Sequence, residues 1–229
     1  MNMRISGKGN IPAGEYEKVS ISGHGRLFGR VRCGSFSASG FSKGEEIECG
    51  EEFKVSGTSL FSKNITAKSI RASGTFACDG GIAVRETLSC SGSAKCKRSI
   101  KCEHLSMSGT LTVDGDIEAE SIKAAGAVNC EGLINAENIE IKADKIMNIG
   151  SIGGSNIVIK RKRFSVVPNR RVIVASSIEG DNIAVERVTC PRITGRVVVI
   201  GKGCKVDLVQ YSEEIKLSPD ARVGKVEKL

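Results

Sequence analysis

Glycine recurs at a nearly constant interval through the first half of the chain. Seven Ser-Gly or Ala-Gly pairs carry it, with steps of 17, 17, 17, 18, 17 and 17 residues, at Gly23, Gly40, Gly57, Gly74, Gly92, Gly109 and Gly126. A fixed period kept over seven copies is typical of solenoid proteins, in which each repeat forms one unit stacked on its neighbours. The period therefore constrains the fold more strongly than any single motif.

Each repeat contains three short alternations of apolar and polar residues. Residues 105–121 read "LSMSGTLTVDGDIEAES", with apolar pairs two residues apart at Leu105 and Met107, Leu111 and Val113, and Ile117 and Ala119. Alternation with period two predicts a strand with one buried face, and Gly, Asp and Ser between the pairs favour bends. Three strands and three bends return the chain to a point above its start. The sequence thus predicts an all-β parallel β-helix with triangular rungs of about 17 residues.

Two rows of apolar residues recur at the rung interval and are expected to form the core. The first row is Val19, Phe36, Phe53, Ile70, Leu88, Leu105, Ile122, Ile139 and Ile157. The second is Ile65, Ile82, Ile100, Ile117 and Ile134. β-Branched side chains that stack on like neighbours suit a buried parallel sheet.

Cysteine and histidine usage favours core packing over a disulfide or metal framework. The chain has nine cysteines and two histidines, and no Cys-x-x-Cys motif. Five cysteines fall on inward positions of the repeat: Cys78, Cys90, Cys96, Cys102 and Cys130. Reduced cysteine behaves as a small hydrophobic residue. We therefore expect no metal and no cofactor.

The formal net charge is +8, but basic residues are scattered among acidic ones. One cluster stands out, Lys160, Arg161, Lys162 and Arg163, and it interrupts the repeat. A solvated loop is the simpler interpretation, and a docking site for an acidic partner or an anionic membrane surface is the alternative. Nucleic acid is not an expected partner.

The regularity of the repeat divides the chain into two regions. Residues 1–145 keep the beat, and residues 146–229 read as a less regular β-rich continuation or capping segment that includes the basic loop at 160–163. The chain has no apolar run of about 18 residues and no signal-peptide core at its start, which predicts a cytoplasmic protein. A membrane-proximal position is the alternative.

The terminal rungs are the expected sites of self-association. A single rung cannot bury its own apolar residues, so the first and last rungs present unpaired strand edges and an open apolar centre. No amphipathic helical pattern that could cap them is evident at either end. The candidates for a polymer interface are Ile5, Val19, Ile21, Ile215 and Leu217.

At residues 70–75 and 105–110, the repeated [Ile/Leu]-x-[Ala/Met]-Ser-Gly-Thr motif, with "DGDIEAES" after the second copy, resembles the bactofilins, bacterial polymer-forming cytoskeletal proteins. The resemblance covers residues 18–145, and the long C-terminal part is similar to a longer subgroup from Gram-positive bacteria. It implies a right-handed coil, nucleotide-independent self-assembly, and scaffolding of cell shape, wall synthesis or motility. It also implies a homopolymer, with a related bactofilin chain as an alternative partner. The short apolar tail that docks many members on the membrane is not matched by "MNMRISGKGNIPAG".

Two other classes of function remain as alternatives. One is a monomeric or dimeric interaction module that recruits a partner through its C-terminal part. The other is a hexapeptide-type acyltransferase, suggested by "VVVIGKGCKV" at 197–206, although that class has a six-residue beat. Asp79, Lys97 and Asp114 recur at one position of successive rungs, which indicates a surface charge ladder rather than a pair of catalytic carboxylates. We therefore expect a non-enzymatic protein.

Overall fold

The computed structural model describes residues 1–143, 146–161 and 173–229. Throughout these ranges the chain forms parallel β-strands and no helix, stacked as a right-handed β-solenoid with a spacing of about 17 residues. The predicted fold class is therefore confirmed. The chain comprises two compact units, Met1–Gly115 and Asp116–Leu229.

The first unit contains sixteen mostly short strands, three to each rung in its later part. They are β1 (Asn2–Ile5), β2 (Lys8–Ile11), β3 (Gly14–Ile21), β4 (His24–Leu27), β5 (Arg30–Ala38), β6 (Phe41–Gly44), β7 (Glu46–Val55), β8 (Thr58–Phe61), β9 (Ile65–Ala72), β10 (Thr75–Cys78), β11 (Ile82–Val84), β12 (Thr87–Cys90), β13 (Ser93–Cys96), β14 (Ile100–Lys101), β15 (His104–Met107) and β16 (Thr110–Val113).

The second unit has longer strands that continue around the corners. They are β17 (Ile117–Ala124), β18 (Ala127–Ala143), β19 (Met147–Arg161), β20 (Ile173–Val185), β21 (Val188–Ile200), β22 (Lys205–Leu217) and β23 (Arg222–Lys228). The interval widens only between β19 and β20, where Ser151 and Ser177 are bonded across 26 residues. The widening follows from the extra length of chain between Arg161 and Ile173.

The strands pair in the register that the apolar rows predict. In the first unit Val19 pairs with Phe36, Phe36 with Phe53, and Phe53 with Ile70. In the second unit Ile122 pairs with Ile139, and Ile139 with Ile157. All members of both predicted rows are at most 2% exposed. The two ladders form the core, as expected.

The glycine beat has a steric cause at one corner. A Cβ atom built on Gly40 would lie 2.1 Å from the carbonyl oxygen of Gly23 in the preceding rung, and one on Gly109 would lie 1.8 Å from that of Gly92. Real Cβ atoms do not approach oxygen so closely, so the corner can stack at strand spacing only without side chains.

Candidate functional site

The N-terminal rung has one unpaired edge on each of its first two strands. β1 pairs with β3, from Asn2 opposite Lys18 to Ile5 opposite Ile21, and β2 pairs with β4. In the part of the chain that the structure describes, no strand lies on the other side of β1 or β2. An unpaired edge offers a row of backbone donors and acceptors to another strand.

The apolar side chains at this N-terminal end are nevertheless well covered. Ile5 is 7% exposed and Ile11 is fully buried. Two further predicted interface residues, Val19 and Ile21, are buried one rung further in, beneath Met3 and Ile5. A second molecule would therefore meet backbone edges here before it met those side chains. The part of Ile5, Val19 and Ile21 in an interface stays a prediction.

The C-terminal end is different, because its apolar side chains are open. Val198 and Ile200 of β21 are fully buried, and they pair with Ile215 and Leu217 of β22. Ile215 is half-buried and Leu217 is 46% exposed. These two predicted residues thus occupy inward positions of the repeat with no described strand stacked over them.

The last strand, β23, extends this open surface. Val209 is fully buried, whereas Val226, its partner in β23, is 41% exposed, and Leu229 is 68% exposed. We call Ile215, Leu217, Val223, Val226 and Leu229 the C-terminal apolar edge. Sequence reasoning missed its last three members. Their signal was the three-residue spacing of Val206 and Val209, which recurs 17 residues later as Val223 and Val226.

The charged residues beside the C-terminal apolar edge are paired with one another. Arg196 bonds Glu213 at 2.7 Å and Lys216 contacts Glu214 at 2.8 Å. Lys225 donates to Glu227 and, with a second hydrogen bond from Gln210, holds the pKa of that carboxyl below its usual range. Because these ion pairs lie within the molecule, the edge carries little unbalanced charge that would repel another copy.

The predicted basic cluster lies only partly within the described residues. Lys160 is exposed near the end of β19 and pairs in register with Lys142, and the backbone of Arg161 ends the strand. Lys162 and Arg163 lie outside the described residues. Two exposed apolar side chains, Ile146 and Val174, lie on strands β19 and β20 or beside them.

The charge ladder predicted at one corner is present. The Lys97 ammonium lies 2.8 Å from the Asp79 carboxylate, whose hydrogen bond raises the pKa of the lysine. Among the described residues, no group of three or more His, Cys, Asp and Glu side chains is placed to hold a metal ion.

All nine cysteines are buried and reduced, so the prediction of core packing is confirmed. Burial raises the pKa of most of these thiols, to about 12 for Cys78 and Cys102 and to about 11 for Cys130 and Cys190. These thiols are therefore poor nucleophiles at neutral pH.

Comparison with known proteins gives one short match. Residues of this chain are 27% identical over 84 positions to the uncharacterized protein YhbF of Bacillus subtilis (strain 168), an alignment that covers 37% of this chain and 36% of that protein. The match thus spans little more than a third of the relative's length. No family model matches the chain. No solved structure matches it either.

Among the described residues, no helix has the length and apolar character needed to span a bilayer. The β-solenoid, with its paired surface charges and exposed strand edges, is consistent with a scaffold or an interaction module.

Proposed function

We propose that the chain is a non-enzymatic, cytoplasmic scaffold that assembles end to end into nucleotide-independent filaments of the bactofilin type. The observation that carries the proposal is the C-terminal apolar edge, where Leu217 is 46% exposed at a position that is fully buried one rung earlier. The resemblance of the repeat to bactofilins suggests a role in bacterial cell shape, wall synthesis or motility.

Stacking of a second copy would continue an interaction that the molecule already repeats. Within the chain, every rung is held by backbone bonds to its neighbours and by apolar side chains that nest on those above and below. The free edges of β22 and β23 at one end, and of β1 and β2 at the other, are parallel strands without a second partner in the described chain. Another copy can satisfy both at the ordinary strand spacing.

Rough magnitudes indicate that backbone pairing must contribute. Burying the exposed half of Leu217 or Val226 stabilises a contact by about 1 kcal/mol each, on the basis of about 1.5–3 kcal/mol for a whole side chain. Association costs roughly 4–15 kcal/mol in lost freedom of motion. The apolar contacts alone do not reach this range, so hydrogen bonds along the edges of two strands, each worth about 0.5–1.5 kcal/mol, are an essential part of the interface.

The test is sedimentation velocity and negative-stain microscopy of the purified chain without nucleotide. The wild type should form filaments, and Leu217→Lys should shift the population to small species with an unchanged circular dichroism spectrum. Val174→Lys is the matched control, because Val174 is 43% exposed on the side of the solenoid. The control should assemble as the wild type does. Filaments of unchanged length from Leu217→Lys would contradict the proposal.

A second candidate function is supported by the surface around Lys160. Lys142 and Lys160 stack on adjacent rungs, and Ile146 and Val174 are exposed nearby in the sequence. Such a combination of charge and apolar surface suits an interaction module for an acidic partner. If the purified chain stays monomeric or dimeric at all concentrations, this function is favoured over the filament.

A further inference from the structure

One pair of buried cysteines is in direct contact. Cys33 of β5 and Cys49 of β7 are partners in adjacent rungs, and their Sγ atoms lie 3.2 Å apart. Core packing explains why both positions are apolar, but it does not require two thiols to face each other. The contact suggests chemistry between them.

A second stacked pair in the same unit provides a contrast. Cys78 and Cys96 are also register partners in adjacent rungs. The Cys78 thiol, however, donates to the carbonyl oxygen of Lys63 at 3.1 Å, and the Cys96 thiol contacts that of Arg98 at 3.2 Å. These thiols are bonded to backbone, and only those of Cys33 and Cys49 are bonded to each other.

We propose that Cys33 and Cys49 are a redox-sensitive pair that forms a reversible disulfide with a hydroperoxide as oxidant. The bond would join the second and third rungs of the N-terminal end covalently. This inference does not depend on filament assembly.

The local backbone leaves the pair within reach of a small oxidant. Each cysteine is followed by a glycine, Gly34 and Gly50, and Gly50 is exposed. The wall over the thiols is therefore bare backbone at that corner. Cys33 is 6% exposed and Cys49 is 4% exposed, against 1% or less for Cys78 and Cys96.

The two thiols differ in acidity, which assigns their roles. The hydrogen bond from Cys49 lowers the pKa of Cys33, whereas the same bond and burial raise the pKa of Cys49. Since the thiolate is the nucleophile, Cys33 is the group that attacks the peroxide.

The reaction balances with one peroxide molecule. The Cys33 thiolate attacks one peroxide oxygen, the O–O bond breaks, and the leaving hydroxide takes a proton to give water. The sulfur of Cys49, losing its proton, then attacks the sulfenic sulfur of Cys33, the S–O bond breaks, and a second water leaves. The two thiols lose two electrons in total and the peroxide gains them.

The geometry predicts a bond that is easily reduced. Strands in a sheet lie about 4.8 Å apart, which is within the Cα separation that a disulfide accepts but wider than its usual Cβ separation of about 3.8 Å. Some strain is therefore built in, and strained disulfides are the more oxidising and reversible ones.

The experiment uses the full chain. Reduced protein is treated with hydrogen peroxide, quenched with an alkylating reagent, and mapped by mass spectrometry without reduction. The expected product is a Cys33–Cys49 linked peptide that dithiothreitol reverses and that exceeds any Cys78–Cys96 product by about tenfold. Linkage should disappear in Cys33→Ser and Cys49→Ser, and persist in Cys78→Ser.

The wild-type map decides the matter even if a serine variant folds poorly. Full alkylation of Cys33 and Cys49 after peroxide treatment would overturn the proposal, as would accumulation of sulfinic acid at Cys33 without linkage. Equal linkage of Cys78 and Cys96 would also overturn it, because proximity of strands alone would then be sufficient.

Discussion

Leu217 pairs in register with Ile200, yet Leu217 is 46% exposed while Ile200 is fully buried. The two side chains occupy the same inward position of consecutive rungs. The difference between them comes only from what is stacked above, because Ile200 has a rung on both sides. Burial in a solenoid is thus a property of neighbouring rungs.

This relationship predicts opposite effects of truncating the two side chains. Ile200→Ala should lower the free energy of unfolding by about 2–5 kcal/mol, because it opens a cavity in the core. Leu217→Ala should cost less than about 1 kcal/mol in the unassembled protein. Urea denaturation at a concentration too low for assembly measures both. Similar losses for the two variants would show that Leu217 is already covered.

The glycine corner predicts a contrast between two glycine-to-alanine substitutions. Gly40→Ala places a Cβ 2.1 Å from the Gly23 carbonyl oxygen, and we expect a loss of more than about 2 kcal/mol in the free energy of unfolding. In Gly50→Ala the nearest atom, the carbonyl oxygen of Cys33, is 3.9 Å away, so the change should be within about 1 kcal/mol. Thermal unfolding of both variants under identical conditions tests the contrast. A tolerated Gly40→Ala would mean that the corner can widen.

The repeat made the ladders predictable because its information is local. Each glycine fixes a corner, and each apolar pair fixes a strand face, so Ile82 could be placed above Ile65 without knowledge of the rest of the chain. The unequal covering of the two ends was not predictable in this way. It depends on how side chains such as Ile11 and Val226 meet a neighbouring rung or meet none.

The fit between different faces of a rung was equally hidden from the sequence rows. Phe36 and Phe53 stack with ring centroids 4.7 Å apart, and Phe61 meets both at an angle. The positions across the core in the same rungs hold the small residues Ser42 and Ser59. Each row taken alone shows only a large or a small residue, and the compensation becomes visible when the chain is coiled.

Ser42 and Ser59 are fully buried, and their hydroxyl oxygens are 2.5 Å apart. Ser42→Ala would leave the Ser59 hydroxyl without its partner, and we expect a loss of about 1–3 kcal/mol in the free energy of unfolding. The double variant Ser42→Ala/Ser59→Ala removes both polar groups and should recover part of that loss. A double-mutant cycle by urea denaturation measures the coupling. Additive losses would indicate that the two hydroxyls do not depend on each other.

Glu48 predicts a specific dependence of stability on pH. Its carboxylate accepts hydrogen bonds from Arg30 and from Arg32, the latter at 2.9 Å, and these lower the pKa of Glu48 in the folded protein. A carboxyl with a depressed folded pKa contributes stability above its unfolded pKa, near 4.5, and loses it as the pH falls through the folded value. The pairs are partly exposed, so the contribution should be no more than about 1 kcal/mol.

Glu48→Gln should therefore lower the free energy of unfolding near pH 7 by up to about 1 kcal/mol and have a smaller effect well below the folded pKa. Urea midpoints measured from pH 7 down to pH 3 give the profile. Glu51→Gln is the control, because Glu51 is an exposed carboxyl in the same rung. If the two variants differ from the wild type by the same amount at every pH, the two arginines do not stabilise the charged form of Glu48. A deficit that shrinks on acidification only in Glu48→Gln would support that role, because protonation of the wild-type carboxyl removes the same charge that the substitution removes.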